Sequence, residues 1–230
     1  MCGSGVVRIF MNPERIDTLR VQPGEPRPYR ACLRQTESNG PAALLRVRNM
    51  GKPPAFSLQI RVNDQVQLTE ILPYDKPAFV EHLNDREIYA NTLSIPYPYC
   101  EADADFFLGM VAQTTAEFGQ PILFAIREQS GRLIGGSGFK DLSIGHSAEI
   151  GYWLAKSYRG QGAMTQVVRA MCEYGVEQWG LVRIVANVVV HNTASTRVLE
   201  KCGFELEGTR RKQYRKDDQF IDVKLYARLT

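Results

Sequence analysis

The chain has 230 residues, 44% hydrophobic and 23% charged, with a formal charge of +3; that is enough apolar material for a buried core and too little charge to imply nucleic acid by itself. No window approaches the roughly 18 uninterrupted apolar residues that a bilayer span needs, and the start lacks a compact apolar stretch with a small-residue cleavage site, so a cytoplasmic protein with no membrane partner is expected. The five cysteines (Cys2, Cys32, Cys100, Cys172, Cys202) are odd in number and scattered, with no C-x-x-C pair, which argues against a disulfide framework or a zinc knuckle and for reduced thiols.

The basicity belongs to the leader. Residues 1–55 carry nine Lys/Arg against four Asp/Glu and seven of the twelve prolines, so a basic, partly ordered arm is expected there; a targeting presequence or a strand over 44–48 is the alternative. Its charge suits an acidic partner, while no direct nucleic-acid site is expected. The sequence leaves monomer and homodimer equally open.

Residues 56–230 read as one domain. "FSLQIRV" and "QVQLTEIL", separated by an Asn-Asp turn, are hairpin material. Asp75 before Lys76-Pro77 starts a helix with Phe79, Val80 and Leu83 on its apolar side. After the proline-tyrosine loop "SIPYPYC", Phe107, Met110, Val111, Thr114 and Phe118 fall at helical spacing. "PILFAIRE" is a nearly continuous apolar strand, and Ser130-Gly131 turns it into "RLIGGSGF", whose three glycines suggest a bulge or a close neighbour.

"AEIGYWL" is the next strand. The stretch "YRGQGAMTQ" follows, and then a helix striped by Met164, Val167, Val168, Met171 and Tyr174. "VRIVANVVV" reads as a fully buried strand; Asn192 starts a helix over Ala194, Val198 and Cys202, and Gly203 closes it. In the last strand Ile221, Val223, Leu225, Ala227 and Leu229 alternate with polar positions. Hairpins followed by alternating strands and helices make a mixed α/β (α+β) sheet with helices on its faces.

The glycine turn carries the first chemical signal. A helix start leaves its first amides unpaired and attracts anions, and Gly160 and Gly162 would let a diphosphate approach them while Arg159 adds charge. The spacing fits neither a Walker loop nor a dinucleotide fingerprint. Taken alone, it reads equally well as a tight strand-to-helix connection.

The ordered series "EIGYWLAKSYRGQGAMTQVV", an apolar strand, "NTASTRVLEKCGFELEG" and the closing "DVKLYARL" resembles the GNAT acetyltransferase superfamily, and within it the RimJ/RimL group that acetylates protein N-terminal amines. The resemblance covers roughly residues 65–230. It implies a mostly antiparallel twisted sheet of about seven strands with a V-shaped splay between two central parallel strands, and acetyl-CoA as cosubstrate with no metal. Arg159, Gly160, Gln161, Gly162, Ala163 and Met164 match the pyrophosphate turn, although Met164 stands where the general pattern has a small residue. Trp153 and Leu154 match the strand end that offers backbone groups to pantetheine, and Asn192 matches a further pantetheine contact.

Acetyl transfer to an amine needs a proton acceptor, a seat for the oxyanion and a proton donor for the leaving thiolate. Ser195, one turn after Asn192, matches the RimL-group serine proposed as general acid, or else caps the helix. Many relatives place a tyrosine seven residues after that asparagine, where this chain has Leu199. Glu149, at the start of the strand beside the splay, is a candidate base, or else a strand-end carboxylate. Tyr214 stands where some relatives carry a glutamate and is a candidate acceptor contact, as are Tyr97 and Tyr99 of the stiff loop, for which packing on the core is the alternative. His191 reads as structural. No Gly-x-Ser-x-Gly elbow and no metal-ligand cluster is visible. The expected reaction is acetyl transfer to a primary amine, with a protein N-terminus ahead of a polyamine or other small amine, and a non-catalytic CoA sensor as the reading from a different class.

Overall fold

Among the described residues, an asparagine makes the first reversal. The amides of Gln65 and Val66 donate to Asn63 Oδ1 at 2.7 and 2.8 Å, and β1 (Gln59–Arg61) returns antiparallel as β2 (Val66–Glu70). The computed structural model describes residues 55–230; residues 1–54 of the basic arm, the stretch 44–48 among them, lie outside the described residues. Three helices follow β2: α1 (Lys76–Leu83), α2 (Arg86–Asn91) and α3 (Glu101–Phe118). Then come β3 (Leu123–Glu128), β4 (Leu133–Ser143) and β5 (Ser147–Leu154). Helix α4 (Ala163–Trp179), β6 (Arg183–Val189), α5 (Thr193–Lys201), β7 (Glu205–Lys216) and β8 (Gln219–Leu229) complete the chain.

The eight strands form one sheet in the order β1-β2-β3-β4-β5-β6-β8-β7, antiparallel except for the β5–β6 pair. Period-two alternation sorts the two helical layers. Phe124, Ile126, Phe139, Ile150 and Ile184 face the cluster built with Met164, Val167, Val168, Met171 and Leu199 of α4 and α5. Ala125 and Leu133 face the other way, against Phe79, Leu83, Ile88, Ala104 and Val111 of α1–α3. Helix α5 ends in a Schellman closure, with the Phe204 amide donating to Leu199 O at 3.0 Å and that of Gly203 to Glu200 O at 3.1 Å.

Several sequence expectations change in detail. Strand β7 was not legible, because it is an exposed edge strand rich in Arg and Lys that packs its backbone on β8 alone, the composition that guards edges against further pairing. Helix α2 is also additional, six residues capped by Asp85, whose carboxylate accepts from the Glu87 amide at 2.7 Å. Strand β6 is buried on one face only: Ile184, Ala186 and Val188 are covered, whereas Arg183, Val185 and Asn187 are half-buried. In α5 the fully buried residue is Leu199, and Ala194 is exposed. In β8 the even-numbered Tyr226 is buried under α5 while Leu229 is exposed.

"PILFAIRE" conceals the largest surprise. Arg127 is wholly buried, and its guanidinium forks onto Asp75 at 2.7 and 2.6 Å. Asp75 therefore starts α1 without capping it: its other role is to accept from the Leu72 amide at 2.8 Å.

Candidate active site

Strands β5 and β6 run side by side for three rungs only, Ser147↔Arg183, Ala148↔Ile184 and Glu149↔Val185. Past Glu149, β5 stays with β4 as far as Leu154, and β6 stays with β8 as far as Val189. The sheet therefore opens into a fork whose inner edges have no ladder partner, and unpaired strand edges in a protein interior require hydrogen-bonding company. The β5 arm is pressed onto β4 by two glycines, since a Cβ on Gly135 would lie 2.6 Å from Trp153 O and one on Gly136 2.6 Å from Trp153 Nε1. The Trp153 ring packs 6.0 Å from Phe79, on the α1–α3 side. Of the backbone groups at the end of β5, Leu154 O is already engaged, accepting from Arg159 Nε at 2.9 Å.

The glycine turn stands beyond the end of the β5 arm. Gly160 and Gly162 have φ of 78° and 81°, where any other residue is strained, and a Cβ at either would meet nothing within 4 Å. Among the described residues no group accepts from the amides of 160–164, whereas the Gly162 carbonyl already takes the amides of Thr165 and Gln166. The result is a concave row of bare N–H groups at the positive end of a 17-residue helix, which fits a diphosphate. Met164 turns into the core beneath the turn, so its bulk at a small-residue place does not obstruct the row. Gln161 folds back onto Ser157 O at 3.2 Å, and Ala163 is half-buried against the core.

Arg159 does not supply the free charge expected of it. Its guanidinium pairs with Asp85 and Glu87, both at 2.7 Å, and so clamps the turn to the start of α2. An anion here would be held by amides and the helix dipole, with Arg159 as a brace.

On the α4–α5 face of the fork, Asn192 Oδ1 accepts from the Ser195 amide at 3.0 Å, the capping role that its type predicts. Ser195 Oγ lies 2.8 Å from the hydroxyl of Tyr152, a β5 residue past the last rung of the fork. Burial pushes the Tyr152 phenol well above its ordinary range. Sequence reasoning passed over Tyr152 in favour of Trp153; the signal was its parity, which it shares with the buried Ile150 and Leu154. Leu199, at the position where a tyrosine was sought, is core.

On the opposite face, Glu149 marks the crotch of the fork. It is 8% exposed and bound to Lys140 Nζ at 2.8 Å. It lines a pocket of about 300 Å³ with Asp141, Arg183, Asn187 and Arg210 over a floor of Val185 and Leu225. Asn187 Oδ1 is buried there without a partner. Tyr214 of β7 is close: burial, and after it the Glu149 charge, push its phenol up.

The other tyrosines separate. Tyr99 is a core residue, 4% exposed, its backbone clasped by Asn84 through bonds of 2.9 and 2.6 Å, so it is not a pocket wall. Tyr97 lies 5.8 Å from Tyr89 under the Arg86 guanidinium. That group meets the tip of the β7–β8 hairpin, where Tyr89 donates to Asp217 at 2.6 Å and Lys216 stands 3.5 Å from the Tyr89 ring centre. His191 is exposed. Among the described residues no three metal-ligating side chains gather, and no helix is long and apolar enough to cross a membrane.

Residues 65–205 match the family described as "Acetyltransferase (GNAT) domain". A curated relative, the ribosomal-protein-serine acetyltransferase of Escherichia coli K12, is 37% identical over 86 residues, 37% of this chain and 48% of the relative. The L-amino acid N-acetyltransferase AaaT of the same organism is 25% identical over 150 residues, 62% of this chain and 85% of the relative. The chain spans about half the length of the first of these. Among solved structures, the ribosomal L7/L12 alpha-N-protein acetyltransferase RimL in complex with coenzyme A superposes with a TM-score of 0.67 at 23% identity, over 75% of this chain and 98% of that one, which is a likeness of fold.

Proposed function

The chain belongs to the GNAT acetyltransferase family, and from that premise we propose that it moves an acetyl group from acetyl-CoA to a primary amine, the α-amine of a protein N-terminus. The observation that carries this reading is the fork itself: one bare-amide turn at its open end, with Glu149 and Ser195 flanking it on opposite faces of the sheet.

The roles follow from that placement. The amides of 160–164 hold the diphosphate, and the free inner edge of β5 offers backbone hydrogen bonds to the pantetheine arm. Acetyl-CoA supplies the activated thioester. The amine enters by the Glu149 pocket, attacks the carbonyl from that face, and passes its surplus proton to Glu149 directly or through water. Ser195, on the far side, donates to the departing sulfur. Asn187 and Tyr214 border the amine's path, with Asn187 offering an amide oxygen that has no other partner.

Lys140 already engages the Glu149 carboxylate. An α-amine titrating near ~8 is neutral for roughly a fifth of its population at physiological pH, whereas a lysine amine near ~10.4 is neutral for only about a thousandth, so the α-amine needs the least help before it attacks. Glu149→Gln is expected to lower kcat/KM with a free-amine peptide about a hundredfold while leaving the CoA dissociation constant unchanged by calorimetry. A wild-type kcat/KM in that variant would exclude Glu149 as the base.

A free amino acid is the second reading. Asp141 and Arg210, each without an ion-pair partner among the described residues, bring both signs of charge to the same pocket. One assay tests the whole proposal: thiol release from acetyl-CoA with a free-amine peptide, its N-blocked lysine-containing counterpart, free amino acids and a polyamine. The free-amine peptide should turn over fastest. Thiol release limited to background for every amine, with CoA still bound, would make the protein a sensor.

A further inference from the structure

Ser195 has a structural weakness as a proton donor. An aliphatic hydroxyl is a poor acid, and a lone O–H can rotate to point anywhere. Two features of this chain address both deficits. The Ser195 backbone is pinned by Asn192 at 3.0 Å, and its Oγ is met at 2.8 Å by Tyr152 from across the fork. Tyr152 belongs to the β5 arm and Ser195 to the helix that follows the β6 arm, so this one hydrogen bond joins the two arms where they have no ladder between them.

We propose that Tyr152 is a positioning residue for acetyl transfer, donating its phenolic hydrogen to Ser195 Oγ so that the serine's own hydrogen points at the leaving sulfur and is replaced as it departs. The proposal rests on the acetyl-transfer reading above. A hydroxyl has one hydrogen: if Tyr152 donates to Ser195, the Ser195 hydrogen is released for another acceptor. In the step itself the amine nitrogen–carbonyl bond forms and the carbon–sulfur bond breaks, its electron pair staying on sulfur. Sulfur takes the Ser195 proton, Ser195 takes the Tyr152 proton, and the phenolate recovers one from water. The proton that the attacking nitrogen sheds on the Glu149 side restores the balance. Burial weakens the phenol as an acid, yet a phenol remains more acidic than an aliphatic alcohol, so the second transfer runs downhill.

The test is Tyr152→Phe, which keeps the ring and its packing and removes only the hydroxyl. Expected are a fall in kcat of about 10- to 30-fold, a CoA dissociation constant within about twofold of wild type by calorimetry, and a double variant with Ser195→Ala no slower than Ser195→Ala alone. A merely structural hydrogen bond would move the melting temperature and CoA affinity and leave kcat alone. Wild-type kcat in Tyr152→Phe, or losses that multiply in the double variant, would overturn the proposal. Should the Phe variant not fold, a proton inventory on the wild type with a slow acceptor decides: a bowed dependence of kcat on deuterium fraction reports two protons in flight, and a straight line sinks the relay. A wild type that releases no thiol with any amine removes the acetyl-transfer reading, and this proposal with it. A normal wild type matched by Tyr152→Phe removes the proposal alone.

Discussion

Gly162→Asp should cost roughly 30- to 150-fold in CoA affinity while leaving the protein folded. The position has φ 81° and clear space around a Cβ, so the new side chain is strained by the backbone and not by a clash. Asp and Asn tolerate this left-handed region better than most residues, at about 1–2 kcal/mol. The carboxylate would stand over the row of amides, and the nearer diphosphate charge, about 4–5 Å away, would repel it by about 3–4 kcal/mol at an effective dielectric near 20, reduced to about 2–3 at an exposed site. At 1.4 kcal/mol per tenfold, that gives the stated range. Gly162→Asn is the control, equal in backbone strain and size and without the charge. Calorimetry with CoA on both variants separates the terms. Equal affinity of the Asp and Asn forms would mean that no anion sits at the turn, and the cofactor reading would fall.

Much of this site was legible because its signals are local. The helix after the glycine turn, the tight turn that Gly160 and Gly162 make and the capping of α5 by Asn192 follow from spacing over a few residues, and the splay beside Glu149 is what the family resemblance implies. What was not legible is long-range. Arg159 looks like a phosphate ligand until its partners 72 and 74 residues earlier are known, because no periodicity records a pairing between a loop and a distant helix start. Tyr99 offers the same amphipathic chemistry as Tyr97 in sequence, but Asn84 clasps its backbone and its ring is buried in the α1–α3 cluster. Tyr152 was hidden differently: alternation along β5 fixes its face, but only the course of α5 brings Ser195 to it. The basic strand β7 failed as a strand signal because its propensity is overridden by pairing with β8.

The same lesson makes Arg127 the most consequential residue outside the fork. Arg127→Met should lower stability by about 3–5 kcal/mol, because it leaves Asp75 charged and buried with no counter-charge; at about 2–4 °C per kcal/mol for a chain of this size the melting temperature falls by roughly 6–20 °C. The guanidinium donates to Thr69 Oγ1 at 2.7 Å, Glu70 O at 3.2 Å, Gly131 O at 3.2 Å and Tyr74 at 3.1 Å besides the Asp75 fork, and lies 4.6 Å from the Phe56 ring centre. It thereby ties β2, the β3–β4 turn and the entrance to α1 together. Removing both charges is a different experiment from removing one: Arg127→Met with Asp75→Leu should recover much of the loss, since a well-packed apolar pair often equals a buried ion pair. Recovery will be incomplete, because Asp75 also serves the Leu72 amide and the carbonyls of Glu70 and Gly131 lose a donor. Thermal and denaturant unfolding of the single and the double variant measures this. A single variant as stable as wild type would show that water reaches the pair in solution and that α1 is held by its apolar face alone, through Phe79 and Leu83.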